Sequence, residues 1–325
     1  MSTKRILVTG ASGFIGQALV RTLCNSGREI NCAVRSTLSV HAMTQFRQRF
    51  NLPDVNVFNV GQLSDATDWK QALDGVETII HCAARVHILD ESNNPDSLQK
   101  FRAINTQATT HLAQLAIKHK VRRFIFLSSI GVLGTTSNVS PFTDDTIPNP
   151  MTPYTLSKFE AEQNLKQLAK DIEIVIVRPP LVYGHGVSGN FDKLLKLISK
   201  GLPIPLGGIR NKRQFLGIDN LIDFIMHCVD SPLAANQTFL IADKEVVSTT
   251  ELIRLIAKLM GGKVFLLPIP QQVLKYFLFA LGKAKMADQL LNNLEIKADN
   301  ARTLLNWEPP YTMLEQLKKV VNPEL

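Results

Sequence analysis

The sequence is poor in cysteine and lacks the cysteine and histidine patterns that hold metals. Its four cysteines form no C-x-x-C pair and lie in apolar stretches, and its histidines include no H-E-x-x-H motif. Such cysteines are typical of small buried thiols in a reducing compartment. Because a chain of 325 residues buries a full core without staples, we expect neither structural disulfides nor a metal site.

Long hydrophobic runs are also missing. No stretch approaches the ~20 apolar residues that a membrane-spanning helix needs, and the short polar start of the chain does not resemble a secretory signal. We therefore expect a cytoplasmic protein.

Charge of one sign is in excess, because 36 basic residues face 28 acidic ones. The formal charge of +8 favours anionic partners such as nucleotides, diphosphates, nucleic acid or a membrane surface. The basic residues are dispersed, and the sequence shows no helix-turn-helix, zinc-finger or RNA-binding aromatic motif, so we expect no nucleic-acid partner.

Short β-branched runs alternate with helical patterns through the first half of the chain. This alternation predicts an α/β fold with a Rossmann-like, doubly wound parallel sheet. The predicted strands are Ile6–Val8, Ile30–Val34, Val55–Phe58, Thr78–His81, Phe124–Ser128 and Ile174–Val177, and the predicted helices include Ile15–Asn25, Thr67–Leu73, Leu98–Lys118 and Tyr154–Ala169.

From about residue 180, turns rich in Gly and Pro replace this alternation of strands and helices. We therefore expect a nucleotide-binding domain over 1–180 and a smaller mixed α/β substrate lobe over 181–325, with a soft boundary that the chain can cross back.

The strongest local motif is a glycine-rich loop, G-x-x-G-x-x-G, formed by Gly10, Gly13 and Gly16. It follows a predicted strand and opens a predicted helix, which is the context that dinucleotide binding requires. Glycines allow a close backbone approach to a pyrophosphate, and a helix N-terminus offers free N–H groups. The alternative is a simple strand–helix turn.

A second motif, Y-x-x-x-K, places Tyr154 and Lys158 one helical turn apart after Pro153. An ammonium group beside a phenol lowers the pKa of the phenol. The pair could thus exchange a proton with a substrate hydroxyl or carbonyl.

A third motif, Ser128-Ser129, stands at the carboxyl end of a predicted strand, where open α/β sheets bind ligands. A hydroxyl there could bind the oxygen that Tyr154 protonates, although a serine pair can also simply cap a strand.

Together these motifs make the sequence resemble the extended short-chain dehydrogenases/reductases of the nucleotide-sugar epimerase/dehydratase family, over nearly the whole chain. Further matches to the family are the H-x-A-A segment His81–Ala84, Asn105 in an N-x-x-x-T helix, and the R-P-x-x-V-Y-G segment Arg178–Gly184.

The resemblance implies a role for each matched residue. Tyr154 would be the acid/base, Ser129 would hold the sugar oxygen, Lys158 would tune Tyr154 and bind the nicotinamide ribose, and Asn105 would support the site. The implied cofactor contacts are Gly10, Ser12, Gly13, Phe14, Ile15, Gly16, Arg35, Gln62, Leu63, Ala83, Ala84, Tyr154, Lys158 and Pro180. Ser129, Asn190 and Arg213 would bind the nucleotide sugar. Arg213 suits a diphosphate, although it could equally be a solvated charge. A homodimer through the two long predicted helices is implied as well.

Two departures from the family pattern concern the cofactor. The acidic residue that many members place after the second strand is replaced by Arg35, which could accept a 2′-phosphate and so favours NADP over NAD. The alternative is a solvated loop arginine. Gln62 replaces the acidic residue of the usual G-D-L segment.

Apolar residues crowd the segment 271–285, with Lys275, Lys283 and Lys285 among them. We expect a core helix of the lobe. The alternative is an interfacial helix that makes peripheral contact with anionic lipid.

The implied activity is NAD(P)-dependent redox at C4 of a UDP-linked hexose or N-acetylhexosamine. We favour reduction of a 4-keto sugar for surface-polysaccharide synthesis, because of Arg35 and because 178–191, 201–207 and 211–220 resemble the enzymes that reduce UDP-4-keto-6-deoxy-N-acetylhexosamines. The alternative is a UDP-hexose or UDP-N-acetylhexosamine 4-epimerase with a transient 4-keto intermediate. A non-catalytic NAD(P)-sensing module is a third hypothesis. Such a module would be expected to lose Tyr154 or Lys158, and both residues are present.

Overall fold

The computed structural model describes residues 5–86, 96–137, 139–187 and 189–322. The strands are β1 (Arg5–Thr9), β2 (Ile30–Val34), β3 (Asn56–Asn59), β4 (Val76–His81), β5 (Arg123–Leu127), β6 (Phe142–Thr143), β7 (Glu173–Arg178), β8 (Val182–Tyr183), β9 (Leu216–Gly217), β10 (Thr238–Leu240) and β11 (Ile296–Lys297). The α-helices are α1 (Phe14–Asn25), α2 (Thr37–Arg49), α3 (Ser97–Phe101), α4 (Ala108–Lys118), α5 (Pro153–Gln167), α6 (Asn190–Ser199), α7 (Ile218–Asp230), α8 (Thr249–Leu259), α9 (Gln271–Ala280), α10 (Ala284–Leu291), α11 (Asp299–Leu305) and α12 (Met313–Val321).

Seven parallel strands form the main sheet in the order β3-β2-β1-β4-β5-β7-β10. Helices α1 and α7 pack on one face, and α4 and α5 pack on the other. The central strands are buried on both faces, which explains their continuous apolar sequences. This arrangement confirms the predicted Rossmann-like fold. The strand order reverses at β1 and β4, so a crevice for a ligand opens at their carboxyl ends.

The chain after residue 180 contributes to both parts of the molecule. Helix α7 packs on α1, and β10 extends the main sheet beside β7. Helices α6, α8, α9, α10 and α12 instead surround a separate apolar core.

Two predicted helices differ in the structure. Residues 67–73 form turns rather than a helix, because side chains there bind the local N–H groups: Thr67 accepts from Ser64 N at 2.8 Å, and Asp68 accepts from Lys70 N at 2.9 Å. The predicted helix Leu98–Lys118 is divided into α3, a π-helical segment Arg102–Gln107, and α4. The sequence pattern also missed α2.

The expected core helix in 271–285 buries only one side. Leu274 and Leu278 of α9 lie in the core of the lobe, whereas Tyr276 and Phe277 face solvent. Within the described residues, no helix is both long enough and apolar enough to span a bilayer.

Candidate active site

The glycine-rich loop joins β1 to α1 and has the shape of a pyrophosphate cradle. Gly10 has a φ of +67°, and Gly13 N donates to Gly10 O at 2.9 Å. A Cβ on Gly10 would lie 2.9 Å from Ala83 N, and a Cβ on Gly16 would overlap Gly10 O. The loop is therefore as tight as glycine allows, and no side chain stands between it and a ligand at these positions.

The first turn of α1 follows this loop directly. Its N-cap residue is Gly13, which has no side chain to occupy the N–H groups of the turn. Such groups bind phosphate, and the helix dipole adds a partial positive charge. Ser12, Phe14 and Ile15 lie half-buried around the cradle. These features fit a dinucleotide.

A buried histidine fixes the neighbouring strand ends. His81 Nδ1 lies 2.8 Å from Thr9 Oγ1, and His81 Nε2 lies 3.0 Å from Thr109 Oγ1. Ala83 N also donates to Thr9 Oγ1, at 3.2 Å. Burial lowers the pKa of His81 to about 3, so the ring is neutral. The histidine holds β1, β4 and α4 together, and the structure thereby brings the predicted Ala83 segment beside the glycine loop.

Tyr154 and Lys158 lie in the first two turns of α5, which Thr152 caps through a reciprocal bond with Thr155. Lys158 is 2% exposed. Its Nζ lies 4.1 Å from the centroid of the Phe126 ring on β5, so it reaches across the strand that ends at the serine pair. Tyr154 is half-buried, with its ring packed edge-on against Phe101.

The predicted lowering of the Tyr154 pKa is wrong for the protein by itself. Burial raises the pKa of Tyr154 to about 12. Burial also lowers the pKa of Lys158 to about 7, although the Glu162 carboxylate and Cys82 oppose that shift. The cause is that both groups lie in a poorly solvated site, which disfavours the phenolate and the ammonium alike.

The pKa of Lys158 makes stability depend on pH. Between about pH 7 and the ordinary lysine value of 10.5, the unfolded chain holds this proton and the folded protein does not, so the free energy of unfolding rises with pH. We expect wild type to gain stability relative to Lys158→Met as pH rises through this window, as measured by urea unfolding at about pH 6, 8 and 9.5. Lys70→Met is the matched control, because it removes an exposed lysine far from the site motifs in the sequence. Equal pH dependence of wild type and Lys158→Met would contradict the assignment.

Asn105 clamps two parts of the site together. Its Oδ1 accepts from Arg85 N at 2.8 Å, and its Nδ2 donates to Arg85 O at 3.0 Å and to Ser157 Oγ at 3.0 Å. Ser157 Oγ in turn donates to Tyr154 O at 2.7 Å. Asn105 lies in the π-helical segment, a distortion that is frequent at functional sites. Its structural place is consistent with the predicted supporting role.

The two serines after β5 have different surroundings. Ser128 is buried and donates to Glu162 Oε1 at 2.5 Å. Ser129 is half-buried and accepts from Gly131 N at 3.1 Å, so its own hydroxyl proton is left to donate. A Cβ on Gly131 would lie 2.7 Å from Thr155 Cγ2, which shows how closely this turn approaches the start of α5 and Tyr154.

The sequence analysis did not predict the buried ion pair between Arg178 and Glu162, the carboxylate that Ser128 contacts. Glu162 and Arg178 are 0% and 3% exposed. Arg178 donates to both carboxylate oxygens, at 2.5 and 3.0 Å. A signal was present, because Glu162 follows Lys158 by four residues and therefore shares its face of the helix. The pair ties α5 to β7 and places a negative charge near Lys158.

The residues predicted to contact the outer part of the cofactor lie in loops after the strands of the main sheet. Arg35 is exposed directly after β2, next to Ser36, which caps α2. Gln62 is exposed and Leu63 half-buried in the loop after β3. Both loops continue the carboxyl edge of the sheet beyond the glycine cradle. Pro180 is buried directly after β7.

In the lobe, Arg213 is a desolvated cation. It is half-buried, its Nη1 donates to Asn292 O at 2.9 Å, and burial lowers its pKa to about 10. Among the described residues no carboxylate forms a salt bridge with it, and its binding of a diphosphate remains a prediction. Such a guanidinium suits an anionic ligand. Asn190 is the first residue of α6, and its side chain lies outside what the structure describes.

Comparison with known proteins agrees with this geometry. The profile of the NAD dependent epimerase/dehydratase family matches residues 6–242. The chain belongs to this family. Family membership confirms the expected enzyme class and nicotinamide cofactor, while a preference for NADP through Arg35 remains a prediction.

Two relatives and a solved structure match this chain over more than nine-tenths of both lengths. A UDP-glucose 4-epimerase of Vibrio cholerae is 40% identical over 321 residues, which cover 97% of this chain and 94% of that protein. The N-acetyl-alpha-D-glucosaminyl-diphospho-ditrans,octacis-undecaprenol 4-epimerase of Escherichia coli O157:H7 is 25% identical, with coverage of 98% and 95%. The solved structure of UDP-glucuronic acid 4-epimerase from Bacillus cereus, with UDP-glucuronic acid and NAD, has a TM-score of 0.78 at 23% identity and 98% coverage of both chains. This last likeness confirms the fold.

Proposed function

We propose that the protein is an NAD-dependent 4-epimerase of a UDP-linked hexose or N-acetylhexosamine. The observation that carries the proposal is the position of Tyr154 and Lys158 at the start of α5, next to the turn that follows Ser129 and beside a glycine cradle that fits a dinucleotide. The similarity to a full-length UDP-glucose 4-epimerase supports C4 as the reacting carbon.

Tyr154, Ser129 and Lys158 would each have a distinct role in epimerisation at C4. The glycine cradle and Lys158 would hold NAD, which would supply the hydride acceptor for C4 and then the hydride donor to the opposite face of the same carbon. The Tyr154 Oη receives the proton of the 4-hydroxyl and later returns it to the same oxygen, while Ser129 donates a hydrogen bond to that oxygen. A protonated Lys158 favours the phenolate. Because the pKa of Tyr154 is about 12 in the protein by itself, the proton transfer depends on the charge of Lys158.

The experiment that tests this proposal uses the purified protein and UDP-glucose. We expect UDP-galactose to form with no net consumption of NAD, and absorbance near 340 nm to rise transiently as hydride leaves the sugar. If the protein instead consumes NAD(P)H and only when a 4-keto sugar is supplied, the epimerase proposal is wrong and the protein is a 4-keto reductase.

That reductase is the second candidate, and Arg35 is the residue that favours it. Its exposed guanidinium after β2 could pair with the 2′-phosphate of NADPH. We expect Arg35→Ala to weaken NADP(H) by at least about 10-fold more than NAD(H), since one charge-assisted hydrogen bond is worth about 1.5–3 kcal/mol. Fluorescence titration with both cofactors measures the effect. Equal weakening of both would show that Arg35 does not bind the 2′-phosphate.

We also propose a homodimer that pairs the α3–α4 and α5 surfaces of two copies. Light scattering of the purified protein should give about twice the chain mass of 36.1 kDa; a monomeric mass would contradict the proposal. Contact of residues 271–285 with lipid remains a separate prediction.

A further inference from the structure

We propose that α9 and its flanking lysines form a docking surface for an anionic membrane. The inference goes beyond the proposed chemistry and does not depend on it. It starts from an unusual helix, because α9 is apolar on the side that faces the core and also on the side that faces solvent.

The outward stripe of α9 follows helical spacing. Val273, Tyr276 and Phe277 are 56%, 78% and 60% exposed, and Leu281, at the end of the helix, is 52% exposed. These positions are i, i+3, i+4 and i+8, the spacing of one helix face. A surface helix of a soluble protein normally carries polar residues there. A neighbouring stripe, Leu274 and Leu278, already anchors α9 to the lobe, so the outward stripe is not needed to hold the helix in place.

Further exposed apolar residues lie in and near α9 along the chain. Phe265 before the helix is 62% exposed, Phe279 within it is 48% exposed, and Met286 after it is 46% exposed. Single exposed hydrophobic residues are ordinary, but a concentration of this kind marks an interaction site.

Charge decides which partner fits the surface. Residues 252–287 contain no aspartate or glutamate but include Arg254, Lys258, Lys263, Lys275, Lys283 and Lys285. Lys263, Lys275 and Lys283 are exposed. Protein–protein interfaces are depleted in lysine, whereas helices that lie in a lipid interface combine a lysine-rich border with aromatic and aliphatic residues. Anionic headgroups attract such a border.

The size of α9 fixes the mode of contact. Ten residues span about 15 Å at 1.5 Å per residue, half of a hydrocarbon core that is about 30 Å thick. The helix therefore lies in the plane of the headgroups, with Tyr276 and Phe277 inserted and the lysines at phosphate level.

Vesicle co-sedimentation of the full chain tests the surface. We expect binding to vesicles of phosphatidylglycerol and phosphatidylethanolamine, little binding to pure phosphatidylcholine, and weaker binding at about 1 M salt, which screens headgroup attraction. Tyr276→Ser/Phe277→Ser and Lys275→Glu/Lys283→Glu should each weaken binding by at least about 10-fold. All four side chains are exposed, so folding is expected to persist.

Matched controls distinguish binding through this docking surface from nonspecific binding. Ile147→Ser/Leu233→Ser removes two equally exposed apolar residues elsewhere, and Lys70→Glu/Lys118→Glu removes two exposed lysines; both should bind vesicles like wild type. Absence of wild-type binding, or equal loss in the controls, would overturn the proposal. So would a change of oligomeric state in Tyr276→Ser/Phe277→Ser without wild-type vesicle binding, because the patch would then be a contact between copies of this chain.

Discussion

Replacing Tyr154 by phenylalanine is expected to lower turnover by at least about 100-fold, the lower end of the effect of a positioned acid/base. The variant loses only the hydroxyl. The ring keeps its edge-on contact with Phe101, and the backbone carbonyl of residue 154 still accepts from Ser157. The fold and the glycine cradle should therefore be unchanged.

The measurement is initial rate together with cofactor affinity. Tyr154→Phe should bind NAD nearly as well as wild type while losing turnover. Tyr311→Phe is the matched control, because Tyr311 lies in the loop before α12, far along the chain from the site motifs, and is 42% exposed. Wild-type turnover in Tyr154→Phe would show that another group moves the proton.

Removing Arg178 is expected to cause the largest loss of stability. In Arg178→Met the Glu162 carboxylate stays fully buried without its partner, and such an uncompensated charge costs about 3–5 kcal/mol. Adding Glu162→Gln should recover most of that loss, because the neutral amide needs no counter-charge and its oxygen still accepts from Ser128. The free energy of unfolding in urea gives both values.

A surface pair provides the comparison for this experiment. Arg28 and Asp230 form a salt bridge at 2.7 Å with side chains that are 24% and 61% exposed. Arg28→Met should change the free energy of unfolding by at most about 1 kcal/mol, as for exposed pairs in general. A similarly small change in Arg178→Met would mean that water or Lys158 compensates Glu162.

Much of the fold could be predicted because its signals are local. Strands β1, β2, β4, β5 and β7 are rich in apolar residues, since both faces of a central parallel strand are buried. The glycine loop could be predicted because only glycine permits the backbone contacts of Gly10 and Gly16. Tyr154 and Lys158 could be predicted because helical periodicity fixes a spacing of four.

Two other features could not be predicted, the first because of local side-chain bonds and the second because of contacts between distant parts of the chain. The segment 67–73 has a helical pattern, yet side-chain bonds from Thr67 and Asp68 turn it into a loop. The π-helical segment places Asn105 against Arg85 and Ser157, which are 20 and 52 residues away. No local pattern encodes such long-range bonds.

The sequence by itself determined the strand–helix alternation, the glycine-rich loop and the Tyr154–Lys158 pair, because each depends on the spacing of neighbouring residues. The assignment of Ser129 to the same site came from the family resemblance. Only the tertiary structure decided the pKa values of Tyr154 and Lys158 and which side of α9 faces solvent. Burial, which depends on packing, raises the pKa of Tyr154, lowers that of Lys158, and leaves Tyr276 and Phe277 facing solvent while Leu274 faces the core. A pattern of apolar residues shows that a helix has apolar faces, but packing against other elements decides which of those faces is buried.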